Sequence, residues 1–265
     1  MKHIKQWLKT KDELQTAEEK AVEIYEFQHS PDEAILSAWA QHFREQYCSK
    51  EELESAIEGT GHSKQSFLEQ LVFPHPTTKP GPSVRAGDFA EVMVADYLEF
   101  VKKYWVPRVR MDNKATPNES VKGCDIIAFK ITSRLSTDEL AIFETKATLS
   151  NRYKSNRLQD AVDDSVKDQL RKAESLFYIK RQLSRKGRAA EALRVERFQD
   201  PEDKPYRETS GAIAIVSTPV FSETPIQETI SGDHPLGAHL RLVVIHGVDL
   251  MTLAHELYAR AVREA

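Results

Sequence analysis

Apolar residues along this 265-residue chain recur with two periods, near 3.6 and near 2, and the switches between them mark out its elements. The first 75 or so residues read as helices with recognisable stops. Ser30-Pro31-Asp32-Glu33 supplies a cap, a first-turn proline and two acids, and predicts a helix running to about Tyr47. Ser49 and Ser63 cap two shorter helices, the first ended by Gly59 and Gly61. Pro74, Pro76, Pro80, Gly81 and Pro82 form a breaker-rich connector, the best boundary in the chain, which separates a helical segment 1–80 from a domain 81–265. From Gly87 to about Tyr104 the pattern is helical and apolar around most of its circumference, as in a helix packed on several sides. Strand patterns follow at Val106–Met111, Cys124–Ile131 and Glu139–Ala147, the last two at the spacing of an antiparallel hairpin. A long helix from about Leu158 to Leu183 and a second, basic one around Arg188–Phe198 come next. Buried strands at Gly211–Val216 and Leu240–Ile245 and an amphipathic helix at Leu250–Ala261 close the chain. The pattern predicts an α/β core with an N-terminal helical segment.

Composition narrows this picture. At 40% hydrophobic residues the chain can bury a sizeable core, and no stretch approaches the ~20 apolar residues of a membrane span. Two distant cysteines, Cys48 and Cys124, argue against a disulfide framework or a thiolate zinc site and suggest a reduced, cytoplasmic setting. The net charge of −4 is unevenly spread: Met1–Pro80 holds 9 Lys/Arg against 14 Asp/Glu, whereas Lys102–Arg157 holds 12 against 6. A local positive field suits a polyanion-processing centre, and a solvated sheet edge would show the same surplus.

The candidate chemistry lies inside that basic stretch. Asp125 interrupts the apolar run Cys124–Phe129, and Glu144-Thr145-Lys146 closes the next strand. A charge in a strand buried on both faces costs several kcal/mol unless it is paired or bound to a cation. Alternation puts Glu144 and Lys146 on one face, and hairpin pairing lets Asp125 reach the same patch. Two converging carboxylates make a hard, oxygen-rich site suited to Mg²⁺, with Mn²⁺ as an alternative, for phosphodiester cleavage. Lys146 would orient an attacking water or stabilise developing charge, since acting as a base requires a pKa far below about 10.4. Glu91 interrupts the apolar helix and can assist a metal-bound water or a second ion, or simply pair with Arg85. Arg152, Lys154 and Arg157 could grip phosphates, or belong to a plain solvated loop. Gln169 fits an exposed helix position; His234, His239, His246 and His255 lack zinc spacing, and no Walker-type glycine loop is present.

The order Glu91, Asp125, Glu144, Lys146 resembles the signature of the PD-(D/E)XK nuclease superfamily, with Cys124 where many members have proline. More narrowly, Arg85–Glu91, Val121–Asp125 and Phe143–Lys146, together with the helical lead-in, resemble the HamA family of Hachiman anti-phage defence. That resemblance implies a restriction-endonuclease-like mixed central sheet flanked by helices. It also implies Mg²⁺-dependent DNA cleavage with Glu91, Asp125 and Glu144 at the metal, and a HamB-like helicase subunit as partner. A non-catalytic DNA-binding or helicase-docking subunit, or a ribonuclease, stays open.

Overall fold

The structure, a computed structural model, describes residues 2–132, 135–152 and 155–265. Helix α1 (Lys2–Trp7) leads into strands β1 (Leu8–Thr10), β2 (Leu14–Gln15) and β3 (Ala21–Phe27), then helices α2 (Glu33–Glu45), α3 (Lys50–Ile57) and α4 (Lys64–Phe67), the last extended by a π-helical turn over Leu68–Val72. Helix α5 (Gly81–Asp96) also ends in a π-helical turn, Tyr97–Val101. Strands β4 (Ile126–Lys130) and β5 (Glu139–Thr148) are followed by α6 (Arg157–Ser165), α7 (Asp168–Arg185) and α8 (Ala189–Glu196). Strand β6 (Arg207–Ser217), α9 (Glu223–Gln227), β7 (Leu240–Gly247) and α10 (Leu250–Arg263) complete the chain.

Among the described residues, seven strands form one mixed sheet in the order β1-β3-β7-β6-β5-β4, with β2 also on β3. The central four, β3, β7, β6 and β5, run parallel, and β4, β1 and β2 are antiparallel to their neighbours. Alternation along the strands divides two helical layers. Phe143, Ile213, Ile215, Val243 and Ile245 face α2, α5 and α10. Ala212, Ala214 and Val244 face α6, while Ile127, Phe129, Leu140 and Ile142 face α7 and α8. The mixed sheet flanked by helices is therefore the fold this chain adopts.

Several elements differ from the expected ones. The lead-in is helical over Glu33–Val72, but Ala21–Phe27 is a strand of the central sheet. Val22 and Ile24 enter one core and Tyr25 and Phe27 the other, and the parallel partner β7 lies more than 200 residues away, beyond any local signal. One core holds Trp39 and Phe43 together with Phe89 and Tyr258, side chains from both sides of the expected boundary near residue 80. The strand expected at Val106–Met111 reduces to one bridge, Trp105 with Phe129, because Pro107 has no amide proton and Arg108 adopts a left-handed φ of 56°. The long helix expected from Leu158 breaks between α6 and α7 at a stretch without Pro or Gly. Asp32, not Ser30, caps α2, accepting from the Ile35 amide at 3.0 Å, whereas Ser49 forms the complete capping box of α3.

Gly211 on β6 lies opposite Phe143 on β5, and a Cβ there would stand 2.1 Å from the ring. Gly211→Ala is expected to displace Phe143 and destabilise the fold by about 1–3 kcal/mol or more. Thermal unfolding reads this as a melting temperature lower by about 2–4 °C per kcal/mol. Adding Phe143→Leu should recover part of the loss, and an unchanged melting temperature would contradict the packing.

Candidate active site

The β4–β5 register pairs Ile126 with Phe143, so continuing it one residue puts Asp125 across from Glu144. The Thr145 amide donates to Asp125 Oδ2 at 3.1 Å, which ties the residue preceding β4 to β5. Glu144 and Lys146 project from the same face of β5, and Lys146 Nζ lies 2.6 Å from both Glu144 Oε1 and Asp164 Oδ2 of α6. Glu91 arrives from α5, in the helical layer on the other side of the sheet, and pairs with Arg110 rather than Arg85. Arg110 Nε donates to Glu91 Oε2 at 2.9 Å and its Nη2 donates to Asp125 Oδ1 at 3.0 Å. Arg85 instead donates to the Pro74 carbonyl and lies over the Tyr258 ring. All four candidate residues, with Arg110 and Asp164, line one groove of about 930 Å³.

Burial sets the electrostatics here. Glu144 Oε2 is buried and makes no hydrogen bond. Loss of solvent, reinforced by the charge of Asp125, pushes the Glu144 carboxyl up to about 8 despite the Lys146 ammonium. Burial also raises Glu91, against the opposing pull of Arg110. Asp168, at the start of α7, is 1% exposed with both carboxylate oxygens unpartnered, and burial together with Asp125 pushes it up to about 6. Burial works against the Lys146 ammonium, but its bonds to Asp164 and Glu144 prevail and hold it protonated above the usual lysine range. A protonated Lys146 is a charge donor, not a base.

Among the described residues no three His, Cys, Asp or Glu side chains stand close enough together to hold a metal ion. The expected three-carboxylate set of Glu91, Asp125 and Glu144 is thus not formed, because the Arg110 guanidinium stands between Glu91 and Asp125. The pair Asp125 and Glu144 does fit Mg²⁺: both ligands are oxygen, one Glu144 oxygen is buried without a partner, and this ion usually takes one or two carboxylates with waters and phosphates.

Of the expected phosphate-gripping residues, Arg152 is exposed and Lys154 lies outside the described residues. Arg157 is turned away, donating to Thr148 Oγ1 at 2.8 Å and pairing with Asp160 at 2.7 Å. The basic side chains lining the groove are instead Lys122, Lys167 and Arg171, with Arg108 and Arg110. Gln169 donates to Glu208 on β6. His234 bonds Ser165, and His246 bonds Thr218 and stacks on Phe221. Arg110, Asp164 and Asp168 were not singled out from sequence. Arg110 was hidden within a false strand, and the two aspartates sit on a polar helix face that looks ordinarily solvated. Cys48 and Cys124 are free and buried, with burial pushing the Cys124 thiol up to about 12.

The family model for HamA matches residues 1–261. The chain belongs to the HamA family. Membership ties it to Hachiman anti-phage defence and spans the site, the lead-in and the closing helix alike. No curated protein matches the chain. None of the described helices is long and apolar enough to cross a membrane.

The raised Glu144 carboxyl makes the stability of this HamA chain pH-dependent. Between its unfolded value near 4.5 and its folded value of about 8, the folded protein holds a proton that the unfolded chain releases, so stability falls as pH rises through that window. Glu144→Gln keeps an acceptor for Lys146 without the charge. In EDTA it is expected to stabilise the fold by about 1–3 kcal/mol at pH about 9, with little difference at pH about 4, below the unfolded value. Equal melting temperatures for both proteins at both pH values would refute the shift.

Proposed function

We propose that the chain is a Mg²⁺-dependent nuclease that hydrolyses DNA phosphodiester bonds, the effector of its defence system, working with a helicase partner. The observation that carries this reading is the buried, unpartnered Glu144 oxygen beside Asp125, with the Lys146 ammonium 2.6 Å from the other Glu144 oxygen. Like-charged carboxylates buried together are costly unless a cation joins them. Asp125 and Glu144 hold the ion; Mn²⁺ serves the same donor set. Bound there, the ion supplies Lewis-acid activation of water and of the scissile phosphate.

The side chains do the rest. Asp164 holds the Lys146 ammonium at the groove wall, where it orients the attacking water and offsets charge developing on phosphorus. Lys122, Lys167 and Arg171 line the groove and match the spaced negative charge of a nucleic-acid backbone. Glu91 contributes through Arg110 and not as a ligand.

One observation favours a different reading. Glu91 and Asp125 are both satisfied by Arg110, which suits a non-catalytic subunit that binds DNA or docks on a helicase. Supercoiled, linear and single-stranded DNA, with RNA in parallel, incubated with and without EDTA, separate the two. The nuclease reading predicts metal-dependent cleavage that falls about 10²–10⁴-fold in Glu144→Ala and Lys146→Ala while circular dichroism stays unchanged. Chelator-insensitive binding without cleavage of any substrate would favour the docking subunit, and cleavage confined to RNA would change the substrate.

A further inference from the structure

Arg110 makes four hydrogen bonds, and all of them converge on the site. Its Nε donates to Glu91 Oε2 at 2.9 Å, Nη1 donates to the Cys124 carbonyl, and Nη2 donates to the Val121 carbonyl at 2.7 Å and to Asp125 Oδ1 at 3.0 Å. The side chain is only 19% exposed. Taking a guanidinium this far out of water is costly, and two carboxylates in hydrogen-bonding contact offset the cost. The backbone that Arg110 grips is a turn built around Gly123, whose φ of 103° suits glycine, and the Ser175 hydroxyl of α7 accepts from the Cys124 amide on its other side. The turn leading to Asp125 is therefore held from two elements at once.

Asp125 is fixed at both oxygens, Oδ1 by Arg110 and Oδ2 by the Thr145 amide. Each oxygen keeps a further lone pair for an ion. Glu91 differs in where it stands: it bonds Arg110 through Oε2 from α5, across the sheet edge from the face that carries Glu144. In a two-ion centre the ions stand about 3.5–4 Å apart and share carboxylates. Here the space joining Glu91 to Asp125 already contains a permanent cation.

We propose that Arg110 is a positioning residue, a built-in cation that fixes Asp125 for metal binding and withholds Glu91 from the ligand set, so that the site takes a single divalent ion. The inference rests on the proposed function and says which residue arranges its ligands. A lysine could not replace the arginine, because only the planar fork reaches two carboxylates and two carbonyls together.

Calorimetric titration of the full chain with Mn²⁺ tests this, alongside the metal dependence of DNA cleavage. Wild type is expected to bind one ion. Arg110→Lys keeps the charge and loses the bridge, so its Mn²⁺ affinity should fall about tenfold or more, as when an outer partner of a ligand is removed. Cleavage should then need correspondingly more metal while the rate at saturating metal is largely retained. Glu91→Gln, which weakens one anchor of the guanidinium, should shift affinity in the same direction by a smaller factor, and it serves if Arg110→Lys does not fold. A merely structural Arg110 would lower the melting temperature and leave affinity unchanged in both folded variants, which would overturn the proposal, as would a second ion of comparable affinity in wild type. If wild type binds no Mn²⁺, the nuclease reading itself falls. If wild type binds and cleaves while both variants match it, only the role of Arg110 falls.

Discussion

Five carboxylates from five segments, Glu91, Asp125, Glu144, Asp164 and Asp168, gather around the junction of β4 and β5, and their mutual repulsion is the constraint on which the site is built. Three cations answer it directly, one of them Lys167, which pairs with Asp164. Arg110 joins Glu91 to Asp125 across the sheet edge, and Lys146 joins Glu144 to Asp164 on one face. The compensation is incomplete, because one Glu144 oxygen and both Asp168 oxygens remain buried without partners. Buried, unsatisfied acids in an otherwise well-packed fold mark a place where stability has been surrendered to charge.

The surrounding architecture exists to hold that arrangement. Parallel pairing of β5 with β6, over Glu139–Thr148, fixes the strand that presents Glu144 and Lys146. The segment between α5 and β4 is pinned to α5 twice, Arg110 on Glu91 and Lys114 on Asp88 one turn earlier. Asp88 in turn accepts from the Tyr47 hydroxyl, which contacts that of Tyr258, so α5 is tied through polar contacts to the end of α2 and to α10. The N-terminal segment is therefore part of the scaffold: it supplies Tyr47 to this network and β3 to the sheet. The HamA match over residues 1–261 spans the same extent.

Much of this was legible in the chain. Apolar periodicity located β4, β5, β6, β7 and α10 within a few residues, and the hairpin spacing brought Asp125 to Glu144 and Lys146. What stayed hidden depended on distant partners. Strand β3 pairs with β7, whose residues follow it by more than 200 positions, and no local pattern announces that. Arg110 looked like one residue of a strand because Val106–Met111 alternates, yet Pro107 and the left-handed Arg108 turn the chain and aim the next arginine inward. Glu91 was expected at the metal; the structure pairs it with Arg110, which also pairs with Asp125, a link that could be identified only in three dimensions.

Locating an ion directly is the decisive measurement: anomalous diffraction from crystals of the full chain grown with Mn²⁺. The account predicts one peak within coordination distance of both Asp125 and Glu144, with Arg110 still bridging Asp125 and Glu91. A peak on Glu91, or no peak near Asp125 and Glu144 at saturating metal, would contradict it.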